Sequence, residues 1–224
     1  MREPIRSTGP PAVPRRTTVF VDGLNFHYGV AKRFGERWVD PVALCQRVLD
    51  RRWHEITQVR FYTSLFVEGV PGSGDPAAQN AYHHVLSMDG RLVLRLGQFR
   101  FRRETVRLAS VQDGGPSHAQ AIGMREKRSD VNLAAELVHL AHLRAFEAAV
   151  VVSNDSDLTT ALEIVRHELG VPVGLVNPQP SRQCNELLEA ATFSRTIRRA
   201  DVVASILPSM VLTPRGPVER PTGW

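Results

Sequence analysis

The chain has 224 residues, 42% hydrophobic and 23% charged, with 28 basic against 23 acidic side chains and a formal net charge of +5. That length supports one good core plus extensions, and the composition is that of a globular protein rather than a disordered or collagen-like one. No run approaches the ~20 apolar residues of a membrane span, and the stretch from Met1 to Arg6 lacks the apolar centre of a signal peptide.

Residues 1–16 carry four prolines and four arginines with little apolar content, and read as a flexible basic lead-in. A first strand is expected over 17–21, then a turn at Gly23-Leu24-Asn25 into a helix over 26–34. Asp40-Pro41 is an N-cap and N1 pair that starts a helix with Val42, Leu44, Cys45, Val48 and Leu49 on one face. A second strand covers 59–67, and a Gly/Pro-rich loop covers 69–76. A helix over 77–88 follows, in which His83 and His84 occupy an ordinary helical stretch. A third strand covers 92–96. Residues 98–108 alternate around Arg102-Arg103-Glu104 as a basic hairpin does, and 110–123 are polar and Gly-rich, as a mobile loop is. A helix is expected over 130–143, a fourth strand over 149–153, a helix over 156–169 ending at Gly170, and a fifth strand over 171–176. A short helix over 182–190 and a short strand or extension over 193–197 complete the domain. Recurrent prolines from Pro208 predict a disordered tail over 208–224.

Short β-branched runs alternating with amphipathic segments define one doubly wound α/β domain over 17–207, with a mainly parallel five-stranded sheet and helices on both faces. A basic hairpin and loop near 98–123 interrupt it. Cys45 and Cys184 are far apart and outside metal-ligand spacing, so they read as buried thiols in a reducing cytoplasm. A cytoplasmic protein without a membrane partner is expected.

Chemistry is concentrated where the apolar runs stop. Thr18-Val19-Phe20-Val21 ends in Asp22, and Ala149-Val150-Val151-Val152 leads through Ser153-Asn154 to Asp155 and Asp157. Asp130 opens an amphipathic helix. In open α/β sheets the site lies outside the carboxyl ends of the strands, so four carboxylates are expected to share one crevice. Clustered carboxylates resist ionisation unless a cation lies among them. Mg²⁺ suits such a site, because it takes a few carboxylates together with phosphate oxygens. Taken singly, Asp22 reads equally well as a turn residue, and Asp157 as a first-turn helix acid favoured by the dipole. Glu136 reads as a surface or supporting residue rather than a ligand, and His139 and His142 as structural.

Only Lys32 and Lys127 are lysine among the 28 basic residues. Arginine suits phosphate recognition because its planar fork binds oxyanions bidentately, although a GC-rich genome gives the same bias. A basic field around an acidic pocket fits a polyanionic substrate.

Three segments together resemble the NYN family, the nuclease-like relatives of PIN domains also called LabA or DUF88-like. They are Val19-Phe20-Val21-Asp22-Gly23-Leu24-Asn25, Lys127-Arg128-Ser129-Asp130-Val131, and Val151-Val152-Ser153-Asn154-Asp155-Ser156-Asp157-Leu158, in the family's order. The resemblance covers about 17–197. It implies a five-stranded parallel sheet of PIN-like topology and metal-dependent cleavage of RNA. By position, Asp22, Asp130, Asp155 and Asp157 would be the catalytic, Mg²⁺- or Mn²⁺-binding set. Asn25, Ser153 and Asn154 would contact phosphate or water, with Lys127 and Arg128 on the scissile or adjacent phosphate. Arg102 and Arg103, interleaved with Phe99 and Phe101, would track the RNA. Relatives of this fold pair up, so a homodimer is left open.

The expected activity is therefore a Mg²⁺/Mn²⁺-dependent ribonuclease. A non-catalytic RNA-binding regulatory module that kept the acidic pocket is the alternative. A phosphatase is less well supported, because Leu24 stands where an aspartyl-phosphate mechanism needs a second Asp, two residues after Asp22. No Gly-x-Gly-x-x-Gly fingerprint supports a dinucleotide cofactor.

Overall fold

The computed structural model describes residues 10–68, 74–110 and 115–224. Residues 1–9 of the lead-in, 69–73 of the Gly/Pro loop and 111–114 of the polar loop lie outside the described residues.

Strand β1 (Arg15–Asp22) is the centre of the sheet. It pairs in parallel with β2 (His54–Ser64) on one side and β5 (Ala148–Val152) on the other. Parallel pairing continues outward from β2 to β3 (Leu92–Arg107), and from β5 to β6 (Val173–Asn177) and β7 (Phe193–Thr196). The run Val19-Phe20-Val21 alternates between the two faces, as strand geometry dictates. Val19 and Val21 enter one core with Phe61, Val150 and Val152, while Phe20 enters the other with Tyr62, Ala149 and Val151. Both faces are covered, which is why β5 is apolar and buried throughout and β6 is buried along its length, polar only at Asn177.

The first face is covered by α1 (Gly23–Phe26), which runs on as a π-turn over His27–Lys32, and by α2 (Pro41–Val48), α3 (Pro76–Leu86) and α7 (Arg199–Val203). The second is covered by α4 (Ser129–His142), α5 (Thr159–Glu163) and α6 (Asn185–Ala190), with a π-turn over Ile164–Glu168 continuing α5. Asp40 caps α2 as expected, its carboxylate accepting from the Val42 and Ala43 amides.

The fold is mixed α/β with a mainly parallel sheet, but the sheet has seven strands, not five, in the order β4-β3-β2-β1-β5-β6-β7. One added strand is β7. The other is β4 (His118–Lys127), built partly from residues expected to be a mobile loop. It pairs antiparallel with the outer half of β3, from Gln98↔Lys127 to Arg107↔His118. Strand β3 therefore changes partner at Gly97, the last residue paired with β2. A Cβ at Gly97 would come within 2.6 Å of both the Ser64 and Ser129 hydroxyls, so only glycine lets three chains meet there. The basic hairpin expected within 98–108 is instead one straight edge of this longer ribbon.

The tail over 208–224 also departs from expectation. Met210–Thr213 (β8) and Gly216–Glu219 (β9) form a hairpin, and Val211, Val218 and Trp224 pack on the first core. The Trp38 indole N–H donates to the Pro208 carbonyl at 2.8 Å, and Arg220 pairs with Glu36 at 3.0 Å. Prolines mark a turn here rather than disorder. Pro214 takes the second position and Gly216 the fourth, at φ +113°, of the two-residue turn that joins Thr213 to Gly216.

Candidate metal centre

Each acidic residue reaches the carboxyl edge of the sheet by a different local device. Asp22 ends β1 and caps α1, its Oδ1 accepting the Asn25 amide at 3.0 Å. Gly23 follows directly, and a Cβ there would lie 2.4 Å from the Tyr62 carbonyl oxygen, so the chain can turn this close to β2 only as glycine. Asp155 follows β5 and caps the 3-10 turn Ser156–Leu158, accepting the Asp157 amide at 3.0 Å. Asp130 sits in the first turn of α4. No loop separates β4 from α4. Arg128 makes the junction alone at φ +84°, a left-handed conformation that costs a non-glycine residue about 1 kcal/mol.

These devices bring one carboxylate oxygen each from Asp22, Asp130 and Asp155 within 4.8 Å of one another. Asp22 is buried, Asp155 half-buried and Asp130 exposed. Burial pushes the Asp22 carboxyl above its ordinary value, against hydrogen bonds from Asn25 and Ser153 that favour the charged form. Although Asp130 stays exposed to solvent, loss of part of its water shell, then the negative charges of Asp22, Asp155, Glu126 and Asp157, push it up to about 6. Among the described residues no basic side chain forms an ion pair with any of the three. Three hard oxygen donors at this separation fit a divalent cation such as Mg²⁺, which favours carboxylate oxygen and would relieve the repulsion.

Two of the expected polar neighbours, Asn25 and Ser153, hydrogen-bond to Asp22. The Asn25 side-chain amide donates to Asp22 Oδ2 at 2.6 Å, and the Ser153 hydroxyl donates to the same oxygen at 2.8 Å. Ser153 Oγ in turn accepts the Asp155 amide at 3.1 Å, tying the ends of β1 and β5 together. Asn154 points elsewhere, accepting the Cys184 amide ahead of α6 at 3.1 Å.

Asp157 is exposed and outside the trio, although its charge is felt at Asp130. Lys127 and Arg128 are exposed immediately before Ser129 and Asp130. Arg102 and Arg103 are not at the cluster. They pair with Gly123 and Ile122, some five residues out along the ribbon from Lys127, or roughly 16 Å.

Glu126 was not singled out from the sequence. Its carboxylate accepts from the Ser64 hydroxyl at 2.9 Å and from Ser129 Oγ, which places a fourth acid beside the site. The signal was its position: an acid one residue before Lys127 faces back over the sheet edge once 118–127 is a strand. Glu136 is a supporting residue, as expected. It is held by Arg60 at 2.7 Å, Arg95 at 3.0 Å and the Tyr62 hydroxyl at 2.7 Å.

A mainly parallel α/β sheet with three converging acids at its carboxyl edge is compatible with a PIN-like fold, and the NYN domain model matches residues 16–197. The chain belongs to the NYN domain family. It is 30% identical over 237 residues to the 6-hydroxy-3-succinoylpyridine 3-monooxygenase HspA of Pseudomonas putida, an alignment covering 94% of this chain and 76% of that protein. A crystal structure of a protein of unknown function from Vibrio parahaemolyticus has the same fold, with a TM-score of 0.56 at 15% identity over 86% of this chain and 98% of that one. No helix among the described residues is long and apolar enough to cross a membrane.

Proposed function

We propose that the protein hydrolyses RNA phosphodiester bonds at the Asp22–Asp130–Asp155 cluster with Mg²⁺ or Mn²⁺ bound. The observation that carries this reading is the convergence of three carboxylates within 4.8 Å, without a protein counter-ion among the described residues, on a nuclease-type fold. A divalent ion held there would polarise a phosphoryl oxygen and make water a stronger nucleophile. The chain's own residues do the rest. Asn25 and Ser153 fix the Asp22 rotamer and favour its charged form. Asp157, on the rim, orients the attacking water. Lys127 and Arg128 take the phosphate next to the scissile one, and Arg102 and Arg103 take phosphates farther along the strand. Asn154 acts through the α6 loop rather than on substrate.

The test is cleavage of labelled single-stranded and hairpin RNA with Mn²⁺, Mg²⁺ or EDTA, beside Asp155→Asn. Cutting that needs metal and is lost in the variant supports the proposal. Equal behaviour of the two proteins overturns it.

The Pseudomonas relative motivates a second reading, because its alignment spans nearly the whole of this chain. In that reading the same cleft binds a hydroxylated pyridine and serves as an oxygenase site for it. Oxygen uptake with 6-hydroxy-3-succinoylpyridine and a two-electron donor, in the absence of RNA cleavage, would favour it.

A further inference from the structure

A pocket of about 110 Å³ opens on the opposite side of β1's end from α4. Its wall begins at Gly23, the residue after Asp22, and includes Glu126, whose charge reaches Asp130. It is therefore continuous with the carboxylate edge. Phe61, Phe66, Tyr82, Phe99 and Trp224 supply aromatic surface from four separate parts of the chain. A dry apolar cavity of ~150 Å³ takes a benzene ring, so this volume suits one ring and not a fused pair.

Several polar residues also line it, and most have partners within the chain: Glu36 pairs with Arg220 and Glu126 accepts from Ser64. Gln79 is committed to the Phe66 amide and the Ser64 carbonyl, and Tyr82 donates to the Val39 carbonyl. His83 is 9% exposed and lines the pocket, yet its ring nitrogens have no hydrogen-bond partner among the described residues. Burial pushes its pKa down to about 4, so the ring is neutral at pH 7. A neutral imidazole offers one donor and one acceptor. The His83 nitrogens are not among the fully enclosed polar atoms that lack a partner, so they reach solvent, and a ring with a complementary N–H and C=O edge can take the place of water on them. Pockets of this kind, apolar with a few convergent polar groups, bind small ligands.

We infer that this pocket binds a single planar nitrogen heterocycle bearing a ring N–H beside a carbonyl or hydroxyl, stacked on its aromatic walls and hydrogen-bonded by His83. The ring comes either from a pyrimidine nucleotide or from a free hydroxypyridine. The inference rests on the carboxylate edge being the reacting centre only for where the ring points. Binding needs no turnover, so failure here is separable from failure of the proposed activity.

The experiment is titration of the full chain with uridine 5′-monophosphate, 2-hydroxypyridine and cyclohexanol, followed by calorimetry and by quenching of tryptophan emission, since Trp224 lines the site. Saturable binding of either heterocycle, with cyclohexanol much weaker, supports the inference. Uridine 5′-monophosphate alone would assign the ring to a nucleic acid, and 2-hydroxypyridine alone to a small molecule. His83→Leu should weaken binding about 5- to 10-fold, the worth of one hydrogen bond. Phe99→Ala, on the half-exposed ribbon, gives a second variant with little risk to the fold and should also weaken binding. Absence of binding by both heterocycles, binding equal to that of cyclohexanol, or binding unchanged in both folded variants overturns it.

Discussion

Helix α4 carries two acids in contrasting settings. Glu136 faces the sheet and is surrounded by the Arg60 and Arg95 guanidinium groups and the Tyr62 hydroxyl, which hold its carboxyl below the ordinary value despite partial burial. Asp130, at the helix start, faces Asp22, Asp155, Glu126 and Asp157, and its carboxyl is driven up to about 6. A carboxylate kept for architecture comes with its own counter-ions, because an unpaired buried charge is costly. A carboxylate surrounded by others lacks such partners, and a divalent cation could relieve the repulsion. The comparison separates structural from functional acids by their partners rather than by their residue type.

The sharpest way to break this contrast is to remove a member of the trio. Asp22→Asn or Asp155→Asn should lower metal-dependent cleavage by more than about 100-fold, beyond what loss of an outer hydrogen-bonding partner costs, with circular dichroism unchanged. Residual cleavage at wild-type rate would leave Asp22 and Asp155 as helix caps alone. Glu136→Gln should do the converse. It leaves Arg60 nearly buried without its counter-charge, and chemical denaturation should show a loss of about 2 kcal/mol, below the full cost of breaking a buried pair because Glu136 is partly exposed. Metal affinity should stay the same.

Ser153→Ala tests the support beneath Asp22. Metal affinity measured by calorimetry should fall about 10-fold, because Asp22 loses a hydrogen bond that favours its charged form.

The pH dependence follows from Asp130. Its proton is held more tightly in the folded state, at about 6, than at the ordinary value of 3.8. For this group, stability of the metal-free protein is fully present below pH 3.8 and is lost as pH rises through about 6. Thermal melts of Asp130→Asn should lack that decline, with Tm above wild type at pH 8 and close to it at pH 4. In the wild type, Mg²⁺ affinity should drop as pH falls below about 6.

The smallest effect concerns the ribbon. Arg102→Gln with Arg103→Gln should weaken binding of single-stranded RNA modestly and flatten the plot of log K against log salt by about 1.4, two phosphate contacts at ~0.7 each. An unchanged slope would remove the ribbon from the RNA path.

Much of the site was legible along the chain because the devices that build it are local. A β-branched run ending in Asp-Gly-Leu-Asn is both a strand end and a helix cap, so Asp22 and Asn25 are fixed relative to each other within four residues. The same holds for Ser153 and Asp155. Asp157 stands outside the closest trio because it is the middle residue of the 3-10 turn Ser156–Leu158, where its side chain is exposed. Glu126 and the ribbon were obscured for another reason. Strand β4 owes its existence to pairing with β3, and its own polar, Gly-containing sequence has little strand character. The tail was misjudged because proline density marks turns as readily as disorder, and only Val211, Val218 and Trp224 meeting the core separate the two.

By itself the sequence determined the α/β class, the parallel centre of the sheet, and which residue types end its strands. Hydrophobic periodicity and capping are short-range properties, so they can be read in windows of ten or so residues. Tertiary structure decided which acids converge, which polar neighbours hydrogen-bond to them, and that His83 lines an aromatic pocket nearby. Those outcomes depend on contacts between segments up to about two hundred residues apart, such as Gly23 and Trp224 on one pocket wall, and on burial, which no single segment encodes.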